Sequence, residues 1–153
     1  MIENARLKTQ NFVCDSPEKT FEAGARIGEI LRGGEMILLS GTLGAGKTLL
    51  TKGILSALDF DANEVTSPSF MLVNLYKTAV FDVYHLDLWR LDENSDAAFA
   101  VGLDEITADE RAVVIIEWAE RLSNYAFPPR TLRVRIAGDG DEPRRIEIAG
   151  LDV

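Results

Sequence analysis

Eight consecutive residues, Gly41, Thr42, Leu43, Gly44, Ala45, Gly46, Lys47 and Thr48, follow the pattern G-x-x-x-x-G-K-[ST], whose chemistry is anion binding. Glycines let the backbone curl until successive N–H groups converge on one anion, an arrangement that a Cβ would obstruct. Lys47 supplies a point charge for the outer phosphates of a nucleoside triphosphate, and the Thr48 hydroxyl suits the magnesium ion bridging the last two. Set against this is a plain glycine-rich turn opening an ordinary helix, which the flanking elements make the weaker reading. Residues 36–40 are a short apolar run of buried-strand type, and from Lys47 to Leu58 apolar residues recur at helical spacing (Leu50, Ile54, Leu58). Strand, glycine loop and helix is the order such a site requires.

A phosphate loop alone binds. Hydrolysis or transfer also needs a carboxylate at the metal and a group that orients the nucleophile. Two strand ends offer carboxylates: Asp87, in Tyr84-His85-Leu86-Asp87-Leu88, and Glu117, which follows the apolar run Val113-Val114-Ile115-Ile116. Ligands in open α/β sheets bind beyond the carboxyl ends of strands, so both are well placed. The bland readings are a cap or turn residue for Asp87 and a first-turn acid for Glu117. The functional ones are Asp87 as magnesium ligand and Glu117 as magnesium-site acid or as the base that positions water, and the two roles are interchangeable on sequence. His85, the one histidine, shares a strand face with Asp87 and reads as a structural, hydrogen-bonded residue. Trp118 would lie near the nucleotide if Glu117 does. Arg90 suits a phosphate or partner contact, or a surface ion pair.

The elements that must position these groups are legible in outline. Residues 9–14 can form a first strand. Ser16, Pro17 and Glu18 are cap, first-turn proline and first-turn acid of a helix reaching about Leu31, with Phe21, Ala25, Ile27, Ile30 and Leu31 as its apolar face. Residues 70–76 and 80–86 read as an antiparallel pair across a turn at Lys77 and Thr78, which makes the sheet mixed. Residues 92–100 read as helical, 102–111 are ambiguous, and 118–125 read as a short helix ended near Pro128 and Pro129. Leu132, Val134 and Ile136 alternate with Arg133 and Arg135, and Ile146 and Ile148 with Arg145 and Glu147. This predicts a C-terminal hairpin turning at residues 138–141, its basic residues on the solvated face of an edge pair.

The chain has 153 residues, with 16 Lys plus Arg against 25 Asp plus Glu and a net charge of -9. One domain over residues 1–153 is expected, small for an enzyme that must also hold a second substrate. The overall electrostatic footprint of a direct nucleic-acid binder is missing. A single cysteine, Cys14, leaves no internal disulfide and reads as a small buried residue rather than a nucleophile. No apolar run is long enough to cross a bilayer, and the N-terminal residues lack a signal-peptide layout, so a reducing cytoplasm is the expected setting.

Five segments, GTLGAGKT, VTSPSF, VYHLDLWRL, VGLDEI and VVIIEWAERL, together resemble the TsaE family, also called YjeE, in order and spacing over about residues 20–125. The resemblance implies a P-loop ATPase using ATP and Mg2+ that assists bacterial synthesis of threonylcarbamoyladenosine next to the tRNA anticodon. It implies TsaB and TsaD as partner proteins, with tRNA contacted through the complex. Family roles carry to Lys47 and Thr48, to Asp87 and Glu117 at the magnesium site, to Trp118 of the Glu-Trp pair, and to Thr66 and Ser69 in a switch-like loop over residues 66–69. Ser69 stands where the family usually has Thr and keeps the hydroxyl, whereas Trp89 replaces a usual Tyr or Phe. The fold expected is α/β, a P-loop NTPase-like three-layer domain with a mixed sheet and a C-terminal β-hairpin. Two other functions fit the residues: a small-molecule kinase, and a nucleotide-dependent binding module with negligible hydrolysis.

Overall fold

The computed structural model describes residues 7–42, 44–68, 72–92, 96–122 and 125–151. Among these, seven strands join one sheet: β1 (Leu7–Cys14), β2 (Met36–Gly41), β3 (Val73–Lys77), β4 (Asp82–Asp87), β5 (Val113–Glu117), β6 (Thr131–Ala137) and β7 (Arg144–Leu151). Their spatial order is β1-β7-β6-β2-β5-β4-β3. The pairs β2–β5, β2–β6 and β4–β5 are parallel, while β1–β7, β6–β7 and β3–β4 are antiparallel. The sheet is therefore mixed, as the short β3–β4 connection requires.

Among the described residues four α-helices accompany it: α1 (Pro17–Ile30), α2 (Lys47–Ser56), α3 (Ala97–Ala100) and α4 (Leu103–Thr107). The Ser16 side chain accepts the Lys19 N–H at the start of α1, with proline in the first turn, the capping expected from the residue types. Strand β5 explains its own unbroken apolar run. It lies between β2 and β4, and all five of its residues are buried. Val113 and Ile115 pack with Ile27, Leu50 and Ile54 of α1 and α2, while Val114 and Ile116 pack with Leu103 and Ile106 of α4. A strand covered on both faces has no polar side to alternate with. Cys14 is buried in the first of these clusters, and burial pushes its thiol pKa up, which keeps it a packing residue. Among the described residues no helix is long and apolar enough to cross a membrane.

Several boundaries and faces differ from the sequence reading. The face that α1 buries is Thr20, Ala23, Gly24, Ile27 and Gly28, while Phe21 and Ala25 are half-buried and Ile30 is exposed. The cause is backbone contact with α2: a Cβ built on Gly24 would meet Leu50 O at 2.1 Å, and one on Gly53 would meet Phe21 O at 2.1 Å. Small residues, not large apolar ones, set that interface. The C-terminal hairpin is internal rather than an edge pair, because β1 pairs with β7 along eight residues. The hairpin β3–β4 is shorter than residues 70–76 and 80–86 suggest: Leu72 takes φ 62, Val80 is 54% exposed, and residues 69–71 lie outside the described residues. Of residues 92–100, 97–100 are helical and 93–95 lie outside the described residues. The ambiguous stretch after Gly102 contains α4.

The expected helix over residues 118–125 reduces to a 3-10 turn, Ala119–Arg121. Trp118 takes φ 62, which breaks any helix continuing from β5, and Ser123 and Asn124 lie outside the described residues. Glu117 thus ends a strand and is not a first-turn helix acid.

Candidate functional site

The site grows from the carboxyl end of β2. The chain leaves the strand at Gly41, Ala45 N–H bonds back to Thr42 O at 3.0 Å, and Gly44 (φ 81) and Gly46 (φ 111) take left-handed conformations that glycine adopts without strain. Ala45 is fully buried beneath the turn. Helix α2 then starts at Lys47 with neither a side-chain cap nor an acid in its first turn. The first amides of a helix have no partner within it and sit at its positive dipole end, so this end is left to bind an anion.

Strand register brings the acids to the same place. Asp87 and Glu117 face each other across the parallel β4–β5 pair, at the carboxyl ends of both strands. His85, two residues before Asp87, lies opposite Ile115 and is fully buried. Its Nε2 contacts Glu117 Oε2 at 2.7 Å, and since the carboxylate can only accept, Nε2 carries the hydrogen. Lys47 Nζ donates to Gly41 O at 2.7 Å and lies 3.6 Å from Glu117 Oε1. Glu117, 4% exposed, is thereby held between a cation and an imidazole, which explains how its charge is tolerated in the interior. His85 is hydrogen-bonded, as its sequence setting suggests, with Glu117 as the partner.

Gly44, Gly46, Lys47, Thr48, Ser67, Asp87, Trp89, Arg90, Glu117 and Trp118 are among the residues lining one cleft of about 610 Å³. One wall is aromatic: the Trp89 and Trp118 rings lie 4.5 Å apart between centroids, and the Arg121 guanidinium sits 5.6 Å from the Trp118 ring. The left-handed backbone at Trp118 turns the chain as it leaves Glu117. Thr66 is not among the cleft-lining residues. Its carbonyl accepts from Tyr76 Oη at 2.9 Å and from Asn74 Nδ2 at 3.1 Å, which fastens the segment to β3, and Ser67 reaches the cleft. Leu43 and Ser69 lie outside the described residues.

Among the described residues no three His, Cys, Asp or Glu side chains gather into a metal-holding group. The donors that do face the cleft, a threonine hydroxyl and strand-end carboxylates, fit magnesium, which keeps waters and takes substrate phosphates instead of an all-protein cage. Burial raises the Asp87 carboxyl pKa above its ordinary value. The hydrogen bond from Trp89 N–H, at 3.0 Å, opposes this, and the neighbouring Glu117 charge adds to it. A folded-state pKa above the unfolded one means that the folded protein holds more protons between the two values, so stability falls as pH rises through that window. Asp87→Asn keeps an acceptor for Trp89 N–H and removes the buried charge. We expect it to raise the Tm of the ligand-free protein near about pH 7 and to leave it unchanged below about pH 3.5, in paired thermal melts.

One side chain at the glycine loop has no signal in the sequence. Arg144, at the start of β7, donates to the carbonyls of Gly44 and Ala45, about a hundred positions away in the chain, and only the three-dimensional fold brings them together.

Comparison with known proteins identifies relatives along most of the chain. A family model described as "Threonylcarbamoyl adenosine biosynthesis protein TsaE" matches residues 14–146. A Mycobacterium leprae protein named tRNA threonylcarbamoyladenosine biosynthesis protein TsaE is 36% identical over 136 residues, covering 85% of this chain and 83% of its own length. A Bacillus subtilis protein of the same name is 32% identical over 131 residues, covering 86% and 79%. The crystal structure of Bacillus subtilis YdiB superposes with a TM-score of 0.72 at 27% identity, covering 97% of this chain and 90% of that one.

Proposed function

This chain belongs to the TsaE family, and on that premise we propose that it is an ATP-binding and ATP-hydrolysing component of tRNA threonylcarbamoyladenosine synthesis. It acts with the TsaB and TsaD proteins in the cytoplasm and reaches tRNA through them. The observation that carries the proposal is the convergence of Lys47, Asp87 and Glu117 on one cleft in front of the glycine loop. Apolar clusters on both faces of the mixed sheet support reading the fold as a three-layer P-loop NTPase-like domain.

In this reading the amides of residues 41–48 and the start of α2 bind the phosphates. Lys47 exchanges Gly41 O and Glu117 for the outer phosphates. Thr48 and Asp87 would hold magnesium, with Glu117 beside them. Bound magnesium would neutralise charge on the outer phosphates. Glu117, held through His85, accepts a proton from the attacking water. The aromatic wall of Trp89 and Trp118 borders the nucleotide, and residues 66–69 respond to what it carries. The expected output is a change in protein assembly rather than a phosphorylated product.

The test is reconstitution with the partner proteins and tRNA. Lys47→Ala is expected to lower tRNA modification at least about a hundredfold, in line with loss of a transition-state charge contact, and Glu117→Ala to do the same. Modification that survives both changes would remove the proposal. Radiolabelled ATP with small metabolites separates the alternatives: a stable labelled product identifies a kinase, and ATP-dependent partner capture without phosphate release identifies a binding module.

A further inference from the structure

Arg144 sits where the C-terminal hairpin meets the phosphate loop, and its guanidinium is spent on backbone carbonyls. Nε donates to Ala45 O at 3.0 Å and Nη2 to Gly44 O at 3.3 Å; on the other side Nη2 donates to Gly140 O at 3.1 Å and Nη1 to Glu142 O. Two acceptors belong to the loop between β2 and α2, and two to the turn between β6 and β7. We propose that Arg144 is a positioning residue for phosphate binding, which clamps the loop onto the hairpin turn and so holds its amides ready for an anion.

A trans peptide is planar, so its C=O and N–H point in opposite directions. Holding Ala45 O toward Arg144 therefore turns Gly46 N–H away from Arg144. Gly46 lines the cleft and Ala45 is buried behind it. Gly46 is also the residue for which the loop most needs restraint, since glycine has the widest backbone freedom and α2 begins immediately after it at Lys47. A planar guanidinium with five donors in a fixed fork can grip four carbonyls at once, whereas an ammonium cannot reproduce that geometry. Among the described residues no Asp or Glu carboxylate accepts from Arg144, so its charge also stays available to a phosphate at longer range.

The two contributions predict different behaviour on substitution. This inference rests on the nucleotide-binding reading of the loop, and Lys47→Ala serves as the control for that reading. ATP and inorganic tripolyphosphate would be titrated against the full chain and against Arg144→Ala, Arg144→Lys and Lys47→Ala. Clamping predicts that both Arg144 variants weaken ATP and tripolyphosphate by about tenfold, because several charge-assisted hydrogen bonds are lost in each. In turnover the loss falls on KM more than on kcat. Wild-type affinity in Arg144→Ala, or full recovery in Arg144→Lys, would overturn the clamp, the latter assigning the effect to charge alone. Lys47→Ala binding ATP like wild type would instead overturn the nucleotide reading. Arg144→Lys keeps the charge and most of the side-chain length, so it guards against a folding defect in Arg144→Ala, and thermal melts without nucleotide identify one if present.

Discussion

Glu117→Gln is expected to lower ATP turnover about a thousandfold, the size of a lost general base, while ATP still binds. The side chain is 4% exposed, so the substitution must suit its pocket. Glutamine does: it has the same length and shape, and its oxygen can accept from His85 Nε2, as Glu117 Oε2 does at 2.7 Å. What it cannot do is take a proton from water or hold a cation with a full charge. Lys47 Nζ, 3.6 Å from Glu117 Oε1, loses an anion that competes with phosphate for it, so ATP affinity should stay equal or rise. Equilibrium titration together with single-turnover phosphate release reads both effects. Turnover left near wild type would move the base role to Asp87, the acid directly across the strand pair. Glutamate to alanine is the less informative change, because it leaves Lys47 and His85 facing a cavity.

What was legible in the sequence follows the range over which its signals act. The order strand, glycine loop and helix is written within residues 36–58, and β2, the loop turn and α2 are found there. The two strand-end acids were legible for the same reason, since Glu117 ends an apolar run and Asp87 follows the strand expected to begin at Val80, and the register of β4 on β5 sets them opposite each other. His85 was readable as a structural, hydrogen-bonded residue, but its partner lies 32 positions away and depends on that register. The clamp at Arg144 depends on a hairpin returning to the loop, which no local pattern encodes. Helical periodicity found Ile27 on the buried face of α1 and Leu31 buried at its end but missed the small residues of that face, because it weights large apolar side chains. The contact with α2 is made where side chains are missing. Trp118 ended the expected helix at its first residue through a left-handed backbone that its residue type does not advertise.

That glycine contact makes a prediction opposite in sign to helix propensity. Gly53 lies inside α2, where replacement by alanine would ordinarily stabilise an exposed helix by about 0.5–1 kcal/mol. Here the added Cβ would meet Phe21 O at 2.1 Å and Ala25 N at 3.0 Å, both backbone atoms of α1. Backbone has no alternative rotamer, so the two helices must separate. That opens the cluster in which Ile27, Leu50 and Ile54 pack against β5. Gly53→Ala is therefore expected to destabilise by roughly 3 kcal/mol or more, the upper range for overpacking, and to lower the Tm by about 6–12 °C for a domain of this size. Gly24→Ala, whose Cβ would meet Leu50 O at 2.1 Å, should match it. Because the two sites share one interface, the double variant should cost less than the sum of the singles: once the helices have separated, the second methyl meets a gap already opened. An increase in Tm for either single variant would mean that the helices do not touch through their backbones. The same displacement carries Lys47 with it, since α2 begins at that residue. A loss of ATP affinity in Gly53→Ala at temperatures where the chain is still folded would then tie the packing of two glycines directly to the phosphate site.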